Sequence, residues 1–293
     1  MATTFSGWAI SAALFNAAYR WSVIRQEPPI AASPISVALE VARELGLKAD
    51  TAELISSSGR SVILLEPCHV LAKVAPAAEY SHFTNEVQIS TYVQRRRGPV
   101  VPPLLRADPG PHTHGPWVVS LWEYAPSETD LETLELAAVP AYAELRAHLN
   151  DFTGTLPYFT EPIIGCREAV SRGQLAGLAS AQAGLIKGEL AAIDALDLPE
   201  ADLHVLHGDP HARNLTRSFG ETLWLDFKSA CIGPIEWDLT ALPSGGLLGA
   251  GSPDLLVKLR RVRSACVVVW CSRKPSPSVV EREAISFHLE QLS

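Results

Sequence analysis

The chain has 293 residues, 47% of them apolar and 19% charged, and a formal net charge of −8. That length can bury a sizeable core and has room for one large domain or two lobes, and the composition argues against a disordered chain. The acidic balance disfavours a general nucleic-acid binder, which needs a clustered Lys/Arg face; the run Arg95-Arg96-Arg97 reads as a solvated helix end.

Met1 to Trp21 is apolar but lacks the basic start and clear cleavage pattern of a signal peptide, so residues 1–30 read as an N-terminal tail or helix. No apolar run reaches the roughly 20 residues that span a bilayer, so no membrane partner is expected. Ser33-Pro34 opens a helix predicted over Pro34–Leu45: Ser33 is the cap, Pro34 the first position, and Gly46 follows the end. From Thr51 to Val74 the texture turns to strands, an antiparallel meander whose first turn is Ser56–Arg60 and whose second contains Glu66-Pro67. A helix is predicted over Ser81–Arg96, then an apolar strand over Trp117–Trp122.

Beyond Pro126 the pattern is mainly helical. Leu145, Leu149 and Phe152 make one stripe, and Leu175, Leu178, Ala181 and Leu185 another, both read as core. Short β-type runs at Val205-Leu206 and Leu223–Leu225 interrupt the helices. The expectation is an α+β chain of two lobes with a cleft between them, 31–124 forming the N-lobe and 125–293 the C-lobe. Five scattered cysteines, Cys68, Cys166, Cys231, Cys266 and Cys271, contain no C-x-x-C pair and fit reduced thiols in a cytoplasm.

The chemistry concentrates in His207-Gly208-Asp209-Pro210-His211-Ala212-Arg213-Asn214 and in Asp226, which follows Leu223-Trp224-Leu225. An Asp followed five residues later by an Asn, then a second Asp after a β-type run, serves phosphoryl transfer. Asp209 would meet the acceptor hydroxyl and take its proton. Asn214 and Asp226 would give oxygens to Mg²⁺, which keeps waters and substrate phosphates as its other ligands. Lys73, set in the apolar run His69–Val74, is awkward unless it faces a polar cleft, and is the candidate for the α- and β-phosphates. Glu86 on the following helix is its natural partner, with Glu79 a competitor.

The turn that includes Ser57 and Ser58 is placed over the triphosphate, although it matches no Gly-rich consensus. Leu121–Tyr124, with Trp122 and Tyr124, is the expected hinge beside the adenine. His207 reads as a buried structural hydrogen-bonder, His211 as a γ-phosphate contact, and Asp238 as a brace for the catalytic loop. A metallohydrolase built on His204, His207, Asp209 and His211 is a rival reading, but that spacing fails the common zinc patterns.

The H-G-D-x-x-x-x-N at His207–Asn214, the Asp226-Phe227 ending and Gly233-Pro-x-x-x-Asp-Leu at 233–239 resemble the aminoglycoside phosphotransferase family of protein-kinase-like small-molecule kinases. The resemblance covers roughly residues 40–245. It implies a bilobal kinase-like fold with a small antiparallel-sheet N-lobe and a mainly helical C-lobe. It also implies ATP or GTP as donor, Mg²⁺, and a small-molecule hydroxyl as acceptor. By matched position, Lys73 would contact phosphates, Glu86 would pair with it, Asp209 would be the catalytic carboxylate, and Asn214 and Asp226 would bind the metal. The chain departs from the pattern at Lys228, where relatives often carry an acid. A catalytically inactive nucleotide-binding module is the alternative, although the residues that the chemistry needs are all present.

Overall fold

Ser33 caps the first described helix, α1 (Pro34–Glu44), its Oγ accepting from the Ser36 N–H at 3.1 Å. The structure is a computed structural model that describes residues 33–57, 60–243, 251–273 and 276–293. The tail or helix expected over 1–30, and Ser58 in the first turn, lie outside the described residues. By internal contacts the described chain divides into two compact units. One holds residues 33–155 with Asn214–Ala230; the other holds Leu156–Arg213 with Cys231–Ser293.

In the first unit, β1 (Ala49–Ser56), β2 (Ser61–Pro67), β3 (Val70–Pro76), β4 (His112–His114) and β5 (Trp117–Glu123) form a five-stranded sheet. Its order is β1-β2-β3-β5-β4 and every pairing is antiparallel. The period-2 alternation of β3 buries Val70, Ala72 and Val74 on the face that α1 covers. Lys73 therefore points to the other face, in register with Val62 on one side and Ser120 on the other.

The helix α2 (Tyr80–Arg95) buries Phe83, Glu86, Val87 and Ser90, a stripe at i, i+3, i+4 and i+7. In α3 (Leu131–Leu149) Asp130 accepts from the Thr133 N–H at 2.9 Å, and Leu145 and Leu149 are buried. Phe152 falls beyond the helix end and packs edge-on against Tyr92, ring centroids 5.0 Å apart.

The second half of the chain adds α4 (Glu161–Ser171), α5 (Ser180–Ala191) and β6 (Leu203–Leu206), then β7 (Leu215–Ser218) and β8 (Glu221–Trp224). After them come β9 (Cys231–Pro234), α6 (Ile235–Leu239), α7 (Pro253–Ser272) and α8 (Val279–Leu292). The β7–β8 hairpin belongs to the sheet-bearing unit, where the Trp224 indole N–H donates to the Ala141 carbonyl of α3 at 3.1 Å.

In the other unit β6 and β9 pair antiparallel, and α7 is the central helix against which α4, α5, α6 and α8 pack. Its core includes Phe159, Ile163, Ile186, Trp237, Leu259 and Val267. A reciprocal cap opens α8: the Ser278 N–H donates to Glu281 Oε2 at 2.7 Å and the Glu281 N–H to Ser278 Oγ at 3.2 Å.

The stripe Leu175, Leu178, Ala181 and Leu185 is not a single helical face. The helix α4 stops at Ser171, Gly177 adopts φ 76°, a backbone that ends helical continuity, and α5 begins only at Ser180. Leu175, Leu178 and Leu185 still pack against the core, but Ala181 is exposed, and Ile186 and Leu190 carry the buried face of α5. Among the described residues no helix is long and apolar enough to cross a membrane. All five cysteines are free thiols.

Candidate active site

Placing Lys73 on the sheet face opposite α1 directs its ammonium at Glu86, which rises from the buried stripe of α2. Lys73 Nζ donates to Glu86 Oε1, and Arg60 Nη1 donates to Glu86 Oε2 at 2.6 Å. Glu86 is completely buried, and a buried carboxylate is tolerable when both oxygens meet cations. Glu79, the competing partner, takes a more distant place, 3.6 Å from Arg60 Nη2. Aromatic faces support both cations: Arg60 Cζ lies 4.4 Å from the Phe83 ring centroid and Lys73 Nζ 4.5 Å from that of Trp122.

Trp122 thus meets the charged cluster through its ring, while its indole N–H donates to Ser120 Oγ at 2.8 Å. Its backbone is in the sheet opposite Leu71 and bridges Pro103. Tyr124 follows β5 and is half-buried, and Ser57 is exposed just past the end of β1.

Asn214 and Asp226 stand at the open end of the β7–β8 hairpin. The Leu225 N–H donates to the Asn214 carbonyl at 2.8 Å, which fixes the two flanks side by side. Asp226 itself adopts a left-handed backbone, φ 59° and ψ 63°, and leads into a tight turn at Phe227–Ser229. Phe227 is buried and α2 packs against that turn, so one helix carries Glu86 and backs the segment beyond Asp226.

Lys228 Nζ lies 2.9 Å from Asp226 Oδ2, whereas Oδ1 is buried with no hydrogen bond. Burial pushes the Asp226 carboxyl up, but the charges of Lys228, Lys73 and Arg60 more than reverse it and hold the group well below the usual carboxylate range.

The other unit carries Asp209 on the loop after β6. Asp238 fastens that loop, its Oδ2 accepting from the His207 N–H at 2.9 Å and its Oδ1 from the Gly208 N–H at 2.8 Å. Gly208 has φ 85°, where a side chain would be strained, and this lets consecutive N–H groups face one carboxylate. His207 is fully buried and its Nδ1 accepts from the Asp209 N–H at 3.3 Å, a structural role. His211 Nδ1 accepts from the Arg213 N–H at 3.2 Å, and its Nε2 lies 3.5 Å from Asp209 Oδ2.

Two residues of this arrangement lie outside the sequence motifs. Arg60 had a signal, a lone cation directly before an apolar strand. Arg263 had a subtler one, an Arg on the stripe Leu256, Leu259, Cys266 and Trp270 where burial expects none. Arg263 Nη2 donates to the Gly208 carbonyl at 3.1 Å and to the Trp237 carbonyl at 2.9 Å, and Nη1 lies 3.7 Å from Asp209 Oδ1. Its guanidinium carbon lies 4.0 Å from the Trp237 ring centroid. Burial lowers its pKa, and Asp209 and Asp238 oppose that shift.

The donor set around Asp226 suits a hard divalent cation: an ionised carboxylate with a buried unbonded oxygen, and an Asn at the same end of the hairpin. Among the described residues no group of three or more His, Cys, Asp or Glu side chains forms a metal cage. Mg²⁺ needs only one or two protein oxygens when phosphates supply others, so the site fits that ion.

Residues 52–252 match the phosphotransferase enzyme family, more than half of the chain, and the chain belongs to that family. It is a phosphotransferase with a protein-kinase-like α+β fold. Solved structures agree on the fold. A microcompartment-associated aminopropanol kinase is 15% identical, with a TM-score of 0.68 over 88% of this chain and 95% of its own. The amicoumacin kinase hAmiN, in complex with AMP-PNP, Ca²⁺ and Ami, is 14% identical, with a TM-score of 0.66 over 87% of this chain and 92% of its own. Aminoglycoside phosphotransferase APH(3'')-Id from Streptomyces rimosus is 18% identical, with a TM-score of 0.54 over 88% and 98%. No curated protein matches the sequence.

Proposed function

We propose that the chain moves the γ-phosphoryl group of ATP, with GTP as an alternative donor, to a hydroxyl of a small molecule that also bears an amine. The observation that carries an active kinase is the Lys73–Glu86 pair, with the Lys73 charge also reaching Asp226. In this reading Lys73 and Arg60 neutralise phosphate oxygens, while Asn214 and Asp226 would hold Mg²⁺, which would supply charge neutralisation to the transferring group. Asp209 orients the acceptor hydroxyl and takes its proton, kept in place by Asp238 and Arg263 through the loop backbone.

The amine-bearing acceptor rests on two supports. The similar solved proteins are named for aminopropanol and aminoglycoside chemistry, and the chain's charge of −8 favours a cationic substrate. Five free thiols fit a cytoplasmic setting, where ATP is supplied. The second reading, an inactive nucleotide-binding module, draws on the cations already placed on the two carboxylates: Lys228 on Asp226 and Arg263 near Asp209.

ATP consumption screened over aminoglycosides, macrolides, amino alcohols and sugars separates the two, with Asp209→Ala as the blank. Asp209→Ala is expected to lower turnover on the true acceptor by about 10³-fold while nucleotide affinity persists. Near wild-type turnover in that variant sinks the assignment of Asp209.

A further inference from the structure

We propose that Lys228 stands in for a second divalent cation at the triphosphate, so that the chain binds one metal ion per bound nucleotide. The inference rests on the kinase reading and concerns how that site is charged. In protein kinases the corresponding Asp, with an Asn, holds two Mg²⁺, and a carboxylate that gives each ion its own oxygen needs both oxygens open. Here one oxygen is taken. Lys228 Nζ is 2.9 Å from Asp226 Oδ2, and the Lys228 side chain is only 12% exposed.

Mg²⁺ bonds a carboxylate oxygen at about 2.1 Å. An ion on Oδ2 would therefore place two like charges on a single oxygen. Oδ1 is the oxygen left for a metal, buried and without a hydrogen bond.

Position and charge argue the same way. Lys228 sits in the Phe227–Ser229 turn, which buried Phe227 pins and α2 backs. Its ammonium is thus delivered by a fixed piece of backbone. Arg60, Lys73 and Lys228 meet the carboxylates Glu79, Glu86 and Asp226, so the cluster is balanced before any metal binds. Without Lys228 the same cluster would carry a net negative charge facing a polyanion. One ion on Oδ1 and one ammonium then supply three positive charges, against the four of two divalent ions.

The test counts Mn²⁺ by electron paramagnetic resonance as it is titrated into the protein saturated with AMP-PNP. Wild type is expected to bind one Mn²⁺ per nucleotide-bound chain, and Lys228→Glu two. Lys228→Gln keeps the side chain's length without its charge. It is expected to bind AMP-PNP about tenfold more weakly than wild type in EDTA, the scale of one lost charge-assisted contact.

Two Mn²⁺ in the wild-type complex would overturn the proposal whatever the variants do. So would a folded Lys228→Gln protein with unchanged metal-free affinity. Absence of AMP-PNP binding to wild type at every Mn²⁺ concentration overturns the kinase reading itself, and this inference with it.

Discussion

Arg263 makes the residue-scale case that the loop carrying Asp209 is held from outside its own motif. Its guanidinium spans the Gly208 and Trp237 carbonyls and approaches Asp209, so a single buried cation ties the loop to α6 and α7. Asp238 holds the same loop from the acceptor side, through the N–H groups of His207 and Gly208. Removing only the cation leaves buried carboxylates uncompensated. Arg263→Met is therefore expected to cost about 3–5 kcal/mol of stability, read as a fall in the urea midpoint. Arg263→Lys keeps the charge but not the planar fork that serves two carbonyls at once, and should recover only part of that loss. A wild-type midpoint for Arg263→Met would remove Arg263 from the loop's support.

At the scale of elements, the sequence carries most where a local signal has one physical meaning. Ser33-Pro34 marks the start of α1, and the alternation of β3 makes Lys73 conspicuous because a cation has no place on an apolar face. The 175–185 stripe misleads because spacing alone does not register a break: α4 has stopped at Ser171 and Gly177 adopts φ 76° in the connection, between apolar positions that still fit a 3.6-residue period. Arg60 and Arg263 stay hidden for another reason. Each earns its place through partners far along the chain, 26 residues away at Glu86 and 55 away at Gly208, and no local window contains both members.

The motif glycine Gly233 is explained only by packing. A Cβ there would stand 2.9 Å from the Phe159 side chain, which itself packs on Trp237 with ring centroids 5.5 Å apart. Gly233→Ala should lower stability by about 1–3 kcal/mol in urea denaturation. Trimming the opposing ring in Gly233→Ala/Phe159→Leu should cost less than the two single changes summed. Full additivity would deny the contact.

For the molecule as a whole, pH acts through His288. It lies buried on α8, shares a 3.0 Å hydrogen bond with Ser264 Oγ, and burial together with the Arg263 charge lowers its pKa to about 4. In the unfolded chain an imidazole titrates near 6.5. Between those values the unfolded state binds a proton that the folded state lacks, so stability falls as pH drops from about 6.5 to about 4. Most of that loss, about 3 kcal/mol, should be complete at pH 4. Urea midpoints followed by far-ultraviolet circular dichroism across that range give the slope, and His288→Leu should flatten it. An unchanged slope in that variant would assign the acid sensitivity to other groups.

The backbone of Asp226 bears on how such a protein can change over generations. Its left-handed conformation suits Asn and Gly at least as well as Asp, and one base change in an Asp codon yields either. Neither replacement brings a carboxylate, yet both keep the turn. If Asp226 holds the metal as proposed, a lineage carrying this fold is one base change from a protein that keeps this turn and has no carboxylate on it.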